Sequence, residues 1–151
     1  MLFWLMGDLG QSAQWWPPLI ALGVALVLAM PFARELNLLA RGMMQAQALG
    51  VAVNRLRYAI FLLASLATAS SVTTAGSIGF VGLIVPHLVR LATGNDQRLL
   101  LPASVLAGGS LLVLADTLAR TLIAPQQLPV GVLTALIGVP VFLFLLSRQP
   151  K

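Results

Sequence analysis

LNLLARGMMQAQALG, residues 36–50, decides how the rest of the chain is read. It is the one long segment that is neither apolar throughout nor a short turn. At helical spacing Leu36, Leu39, Ala40, Met43 and Ala46 fall on one face, while Asn37, Arg41 and Gln45 recur every four residues on the other. The pattern predicts an amphipathic surface helix. Gly50 stands where a helix takes a left-handed closing residue, and Gly42 permits a bend or a split into two shorter helices. A chain whose other helices face lipid must offer water something if a soluble partner is to work it, and this segment is the candidate. The same pattern also suits a helix lying passively in the headgroup layer.

On both sides of this segment the chain is apolar. Hydrophobic residues make up 59% and charged residues 9%, against about 25% charged in soluble domains, and the mean hydropathy is +0.96. The protein is therefore expected to be integral to a membrane, with no soluble domain of any size. Its apolar blocks are longer than a secretory h-region and recur towards the C-terminal end, so a cleaved signal does not explain them. The absence of cysteine excludes disulfides, thiolate metal ligands and cysteine nucleophiles. A net charge of +5 comes from basic residues dispersed at the ends of apolar blocks, which suits membrane topology and not a nucleic-acid stripe.

Upstream, residues 1–14 carry Asp8, and Trp15 with Trp16 mark a membrane interface. Pro17 and Pro18 suit a first helical turn, giving a first span over 16–33 and a polar loop over 34–57. Downstream, Arg55 and Arg57 flank a second span, 58–75, whose later half gathers Ser65, Thr68, Ser70, Ser71, Thr73 and Thr74. Small hydroxyl residues at this density favour burial against other helices, or else a pore lining. GSIGFVGLIVPHLVRLATG (76–94) follows, with Gly76, Gly79 and Gly82 three apart and Pro86 beyond them. Its apolar part, 80–92, is short for a span; such segments are tolerated at depth where protein or a wet cavity satisfies the backbone, which makes it a candidate pathway wall. A fourth span covers 102–119, residues 122–128 with Pro125 make a turn, and a fifth span covers 129–146 before Arg148 and Lys151. The fold class expected is all-α, a polytopic transmembrane bundle of about five spans.

Charge tests whether the short segment crosses. If it does, Arg34, Arg41, Arg55, Arg57, Arg90, Arg98, Arg148 and Lys151 share one side and Arg120 stands on the other, eight against one; if not, the split is five against four. The positive-inside rule selects the first. The 36–50 segment and the C-terminus then face the cytoplasm, the N-terminus faces out, and Arg120 is external. Such a unit, without internal repeat, reads as one half of a larger transporter.

The runs AGSIGFVGLIVPHLVRL (75–91), LLPASVLAGGSLLVLADTLAR (100–120) and QLPVGVLTALIGVPVFLFLL (127–146) resemble the C-terminal half of the permease subunit of type II ABC importers (FecCD-type). These are bacterial inner-membrane permeases for ferric siderophores, haem and cobalamin. The opening MLFWLMGDLG resembles the segment before that family's sixth span, so the likeness covers the whole chain, though a whole permease has about twice this length.

The resemblance implies that loop 34–57 holds a cytoplasmic coupling helix seated on an ATPase subunit. LLARGMMQAQALGV (38–51) matches the pattern, and Leu39, Ala40, Arg41, Gly42, Met43, Gln45, Ala46, Leu49 and Gly50 are the implied coupling positions. Relatives often carry acidic residues after the glycine; here Met43 and Met44 stand there, which favours apolar seating. Arg120 matches an external arginine offered to a periplasmic or lipid-anchored substrate-binding protein, although it can also pair with Asp116 four residues before it and merely cap its helix. Gln127 stands where relatives often have Glu. Gly79, Val130, Thr134 and Ile137 are implied pathway positions at the interface with a second permease copy. No cofactor or metal is implied, and ATP is bound by the partner, since no phosphate-binding loop ending in Lys–Ser/Thr occurs. His87, the one histidine, reads as structural. Two rival classes stand beside this reading: half of a proton-coupled carrier using Asp116, and a non-transporting membrane assembly subunit. No enzyme is expected, because no nucleophile–base pair appears.

Overall fold

The structure, a computed structural model, describes residues 16–121 and 130–147, the side chains of 144–146 excepted. The interface segment with Asp8 and Trp15, the 122–128 turn with Gln127, and the closing Arg148 and Lys151 lie outside the described residues.

Every regular element among the described residues is helical. α1 (Trp16–Ala29), a 3-10 turn (Met30–Phe32) and α2 (Ala33–Ala40) run end to end as one rod of 25 residues. Sequence reasoning ends the first span at Ala33, whereas the helical path continues. Pro31 falls in the first turn of the 3-10 segment, where its missing N–H costs nothing, and Ala33 keeps helical angles (φ −58°, ψ −35°). α3 (Met43–Ala48) follows, then α4 (Val53–Ala75), α5 (Val81–Thr93), α6 (Gln97–Thr121) and α7 (Val130–Ser147). α4 starts five residues before the expected Tyr58, and α6 takes Pro102 into its second turn.

Three rods, 16–40, 53–75 and 97–121, are long and apolar enough to cross hydrocarbon, while α5 and α7 are shorter apolar helices. The path of the chain follows from contacts between their ends. The end holding α2 and α3 is here called the foot. α4 rises from it; α5 must return to it, because Asp96, just past α5, is hydrogen-bonded to Asn37 of α2 (2.8 Å). α6 rises again, and α7 starts at the opposite end, the head, where Val130 and Leu133 bury against Ala115 and Ala119 of α6. Asn37 and Asp96 therefore sit on one side, as the charge arithmetic requires of a segment that crosses.

Lengths explain the glycine-rich link. At 1.5 Å per residue α4 rises ~34 Å and α6 ~37 Å, but the 13 residues of α5 cover only ~20 Å. Residues 76–80 must make up the difference of ~15 Å, close to the ~17 Å that five extended residues span. Gly76 (φ +72°) ends α4, and Phe80, a left-handed non-glycine (φ +67°), opens α5. Phe80 is held by close packing: a Cβ built on Gly138 of α7 would lie 2.6 Å from the Phe80 Cβ. The left-handed backbone costs about 1–2 kcal/mol, which that packing must offset.

Within this chain the hydroxyl-rich half of α4 is not covered. Ser65, Thr68, Ser71 and Thr73 are exposed, and no residue of the helix's most apolar window is buried. These side chains need no neighbouring helix, because they bond back to their own turn: Ser71 Oγ donates to Ala67 O (2.9 Å), Thr73 Oγ1 to Ala69 O (2.9 Å) and Thr74 Oγ1 to Ser70 O (3.0 Å).

Candidate functional site

The foot carries the feature that the 36–50 segment was read for. α2 closes tightly, with the Arg41 N–H donating to Leu38 O (3.1 Å) and the Gly42 N–H to Leu39 O (3.1 Å). Gly42 then adopts φ +134°, ψ +142°, a conformation closed to L side chains, and this splits the helix that periodicity alone would continue. Ala46 N–H to Gly42 O (3.0 Å) starts α3. Its end is a paired closure: the Gly50 N–H donates to Gln47 O (2.9 Å) and the Val51 N–H to Ala46 O (3.0 Å), with Gly50 at the left-handed φ of +84°. α3 is thus a short helix hung between two glycines that only glycine geometry permits.

The split changes which side chains face out. Ala46 is fully buried and ties α3 to its own chain, so it is a seat for the helix and not part of its outward face. Met43, Gln45 and Leu49 are exposed, as are Ala40 and Arg41 at the end of α2 and Gly50 beyond; Leu39 and Gly42 are half-buried. Met44, not among the expected coupling positions, is 84% exposed, the highest value among exposed large hydrophobics in the described chain. Leu49, at the C-terminal end of the helix, stands at 67%. The doublet Met43–Met44 was the available signal: two flexible apolar side chains after a glycine, where an unpartnered helix would carry polar ones.

Asn37 behaves differently from the other residues of its presumed polar face. It is half-buried, and its amide reaches the loop before α6 twice: Nδ2 donates to Asp96 Oδ1 (2.8 Å), and Oδ1 accepts the Gln97 N–H (2.8 Å). Asp96 in turn caps α6, its Oδ1 accepting the Arg98 N–H (3.0 Å) and its carbonyl the Leu100 N–H (2.9 Å). The Asn37 bond first, and the Arg98 backbone N–H second, hold the Asp96 carboxyl below its ordinary pKa. Arg41 and Asn95 line the same polar recess. Sequence reasoning missed this pair because 59 residues separate its members.

At the head, Arg120 Nε donates to Asp116 Oδ2 at 2.8 Å, so the intramolecular pair is formed. It is an exposed i,i+4 pair, with side chains 41% and 24% accessible, and worth only about 0.3–0.5 kcal/mol.

The four expected pathway positions do not share one open surface. Val130 and Thr134 are buried at 2% and 6%, Thr134 Oγ1 donating to Gly131 O (3.0 Å), whereas Ile137 and Gly79 are exposed. The outward stripe of α7 is instead Val132, Leu136 and Val139, which together with Ser77 and Pro140 line an apolar groove beside the 76–80 link. His87 is half-buried, and among the described residues no three His, Asp or Glu side chains gather as a metal site would need.

Comparison with known proteins adds three kinds of likeness. The model of the FecCD transport family matches residues 1–148. The chain is 48% identical over 149 residues to the hemin transport system permease protein HmuU of Yersinia pestis, covering 97% of this chain and 44% of that one. It is 49% identical to the cobalamin import system permease protein BtuC of Halobacterium salinarum (98% and 40%) and 46% identical to the Fe(3+) dicitrate transport system permease protein FecD of Escherichia coli (98% and 47%). A solved structure of a metal-chelate type ABC transporter in an inward-facing conformation superposes with a TM-score of 0.89 at 35% identity, covering 98% of this chain and 48% of that one. The chain thus spans less than half the length of these curated relatives.

Proposed function

Because the chain belongs to the FecCD transport family, we propose that it is the coupling half of the membrane permease of an ATP-driven importer. An ATPase subunit seats on the foot, a substrate-binding protein meets the head at Arg120, and a second permease copy completes the pathway. The cargo is a metal chelate of the ferric siderophore, haem or cobalamin class; the relatives' own names span hemin, cobalamin and ferric dicitrate. The chain brings no cofactor, and the ATPase subunit binds the ATP. The protein sits in the bacterial inner membrane with the foot in the cytoplasm. Arg34, Arg41, Arg55, Arg57, Arg90 and Arg98 flank the foot and Arg120 the head, which supports that orientation. Both termini follow from it, the N-terminus outside and the C-terminus cytoplasmic.

The observation that carries the reading is α3, a short helix built at the end of a membrane rod, with Met44 on it and Leu49 just past its end both exposed. Exposed apolar side chains on a fixed helix have a use when a groove receives them. Closure of the ATPase subunits moves that groove, and the seated helix passes the movement to the rods. A proton-coupled carrier would depend on Asp116, which lies with Arg120 on the last turns of α6, whereas an ATP-driven permease would not. Asp116→Asn should therefore leave ATP-dependent uptake intact.

Co-purification with the ATPase subunit and ATP-dependent uptake of the chelate test the proposal. Met44→Glu and Leu49→Glu should each weaken the association about tenfold or more, since a charge replaces a desolvated anchor. Both side chains are largely exposed, so the chain's own fold should persist. Undiminished association in both variants would overturn the seat.

A further inference from the structure

We infer that Asn37 and Asp96 form a latch that makes the α1–α2 rod and α6 a single moving body, so that displacement of α3 reaches the head through α6. The inference rests on the proposed function and adds to it the residues that carry the stroke. Three observations lead to it. First, α3 is joined to α2 through Gly42, which makes no side-chain contact of its own, so the chain just before that hinge must be anchored if a push on α3 is to go anywhere. Second, the anchor present there is directional. Apolar burial, such as that of Ala33 and Leu100, is non-directional, whereas the Asn37 amide holds both Asp96 Oδ1 and the Gln97 N–H at 2.8 Å and so fixes register. Third, those two contacts fall on Gln97, the first residue of α6, and on Asp96 just before it, where backbone N–H groups have no helical partner, so the latch is also part of the helix cap. From there an unbroken helix of 25 residues, ~37 Å long, ends at Thr121, beside Arg120.

The side chains have assigned roles. Asn37 is a positioning residue with one donor and one acceptor in use; Asp96 accepts from Asn37 and from the Arg98 N–H while capping α6. Asn37→Ala removes both bonds, and Asn37→Asp sets two carboxylates face to face. The exchange Asn37→Asp with Asp96→Asn keeps a carboxylate opposite an amide donor and still offers the Gln97 N–H an acceptor.

The test uses the assembled importer in liposomes. Wild type must show uptake stimulated by the binding protein; if it does not, the fault lies with the proposed function and not with the latch. Asn37→Ala should retain co-purification and basal ATP hydrolysis, while stimulation by the binding protein and uptake fall about tenfold, as expected for losing two fixed hydrogen bonds. The exchanged pair should recover most of that loss. Spin labels at Ala40→Cys and Leu99→Cys, both exposed positions in a chain without cysteine, give a second readout: a narrow distance distribution that broadens in Asn37→Ala. Undiminished stimulation and uptake in Asn37→Ala, an unbroadened distribution, or an exchange no better than Asn37→Asp alone would each overturn the latch.

Discussion

Asp96 shows how a single contact sets a working range. Its carboxyl is held below the ordinary pKa, first by the Asn37 amide and then by the Arg98 N–H, both of which favour the charged form. A folded pKa below the unfolded value of about 3.9 means that the bond's contribution is complete above that value and is lost as pH falls through the lowered one. The label distance across Ala40 and Leu99 should therefore stay constant from about pH 8 to 5 and broaden only in acid below about pH 4. A transition near neutrality would show that some other group holds the foot. Nothing in the sequence around Asn37 distinguishes it from Arg41 and Gln45, which share its spacing; the distinction comes from a loop 59 residues away. Gly42 and Gly50 are different, since both left-handed positions are readable as glycine before any coordinates exist.

Between elements, contact distance decides what each glycine is worth. Gly138 and Gly108 both sit where helices of the bundle meet, yet their neighbours differ. A Cβ on Gly138 would meet Phe80 Cβ at 2.6 Å and Ile84 Cδ1 at 3.1 Å, while one on Gly108 would meet Val81 and Val85 methyls at an ordinary 3.9 Å. Gly138→Ala must push apart α5 and α7 and should cost about 1–3 kcal/mol, seen as a lower melting temperature in detergent. Gly108→Ala fits the space and gains helix propensity, so it should be neutral or stabilising by up to about 1 kcal/mol. Equal effects from both would mean that the Phe80 contact is not tight. Small residues in these runs announce close packing in the sequence. Which of them is critical depends on α5 beginning part-way down the bundle behind the 76–80 link, and no periodicity reports that. The hydroxyls of α4 make the same point in reverse: their composition suggests burial, but back-bonding to their own turn leaves them content at a surface.

For the whole molecule the decisive relation is that Asn37 and Asp96 lie at the same end. An impermeant thiol reagent applied to intact cells should label Thr121→Cys and spare Ala40→Cys and Asn95→Cys, which should react only from the inside; all three positions are exposed. Labelling of Ala40→Cys and Asn95→Cys from opposite sides would break the topology, and labelling of both from outside would reverse the orientation. Composition and residue spacing by themselves determined an all-helical membrane protein, a glycine at position 42 where a helix could bend or split, and the family motifs, because each is a local or additive property of the chain. Tertiary structure alone decided that Ala46 turns inward and Met44 outward, that Val130 buries against α6 and Thr134 is buried, that this chain does not itself cover the hydroxyl face of α4 and that Asn37 caps α6. Those outcomes depend on which distant segment arrives beside a residue, and a side chain's spacing along its own helix carries no record of that.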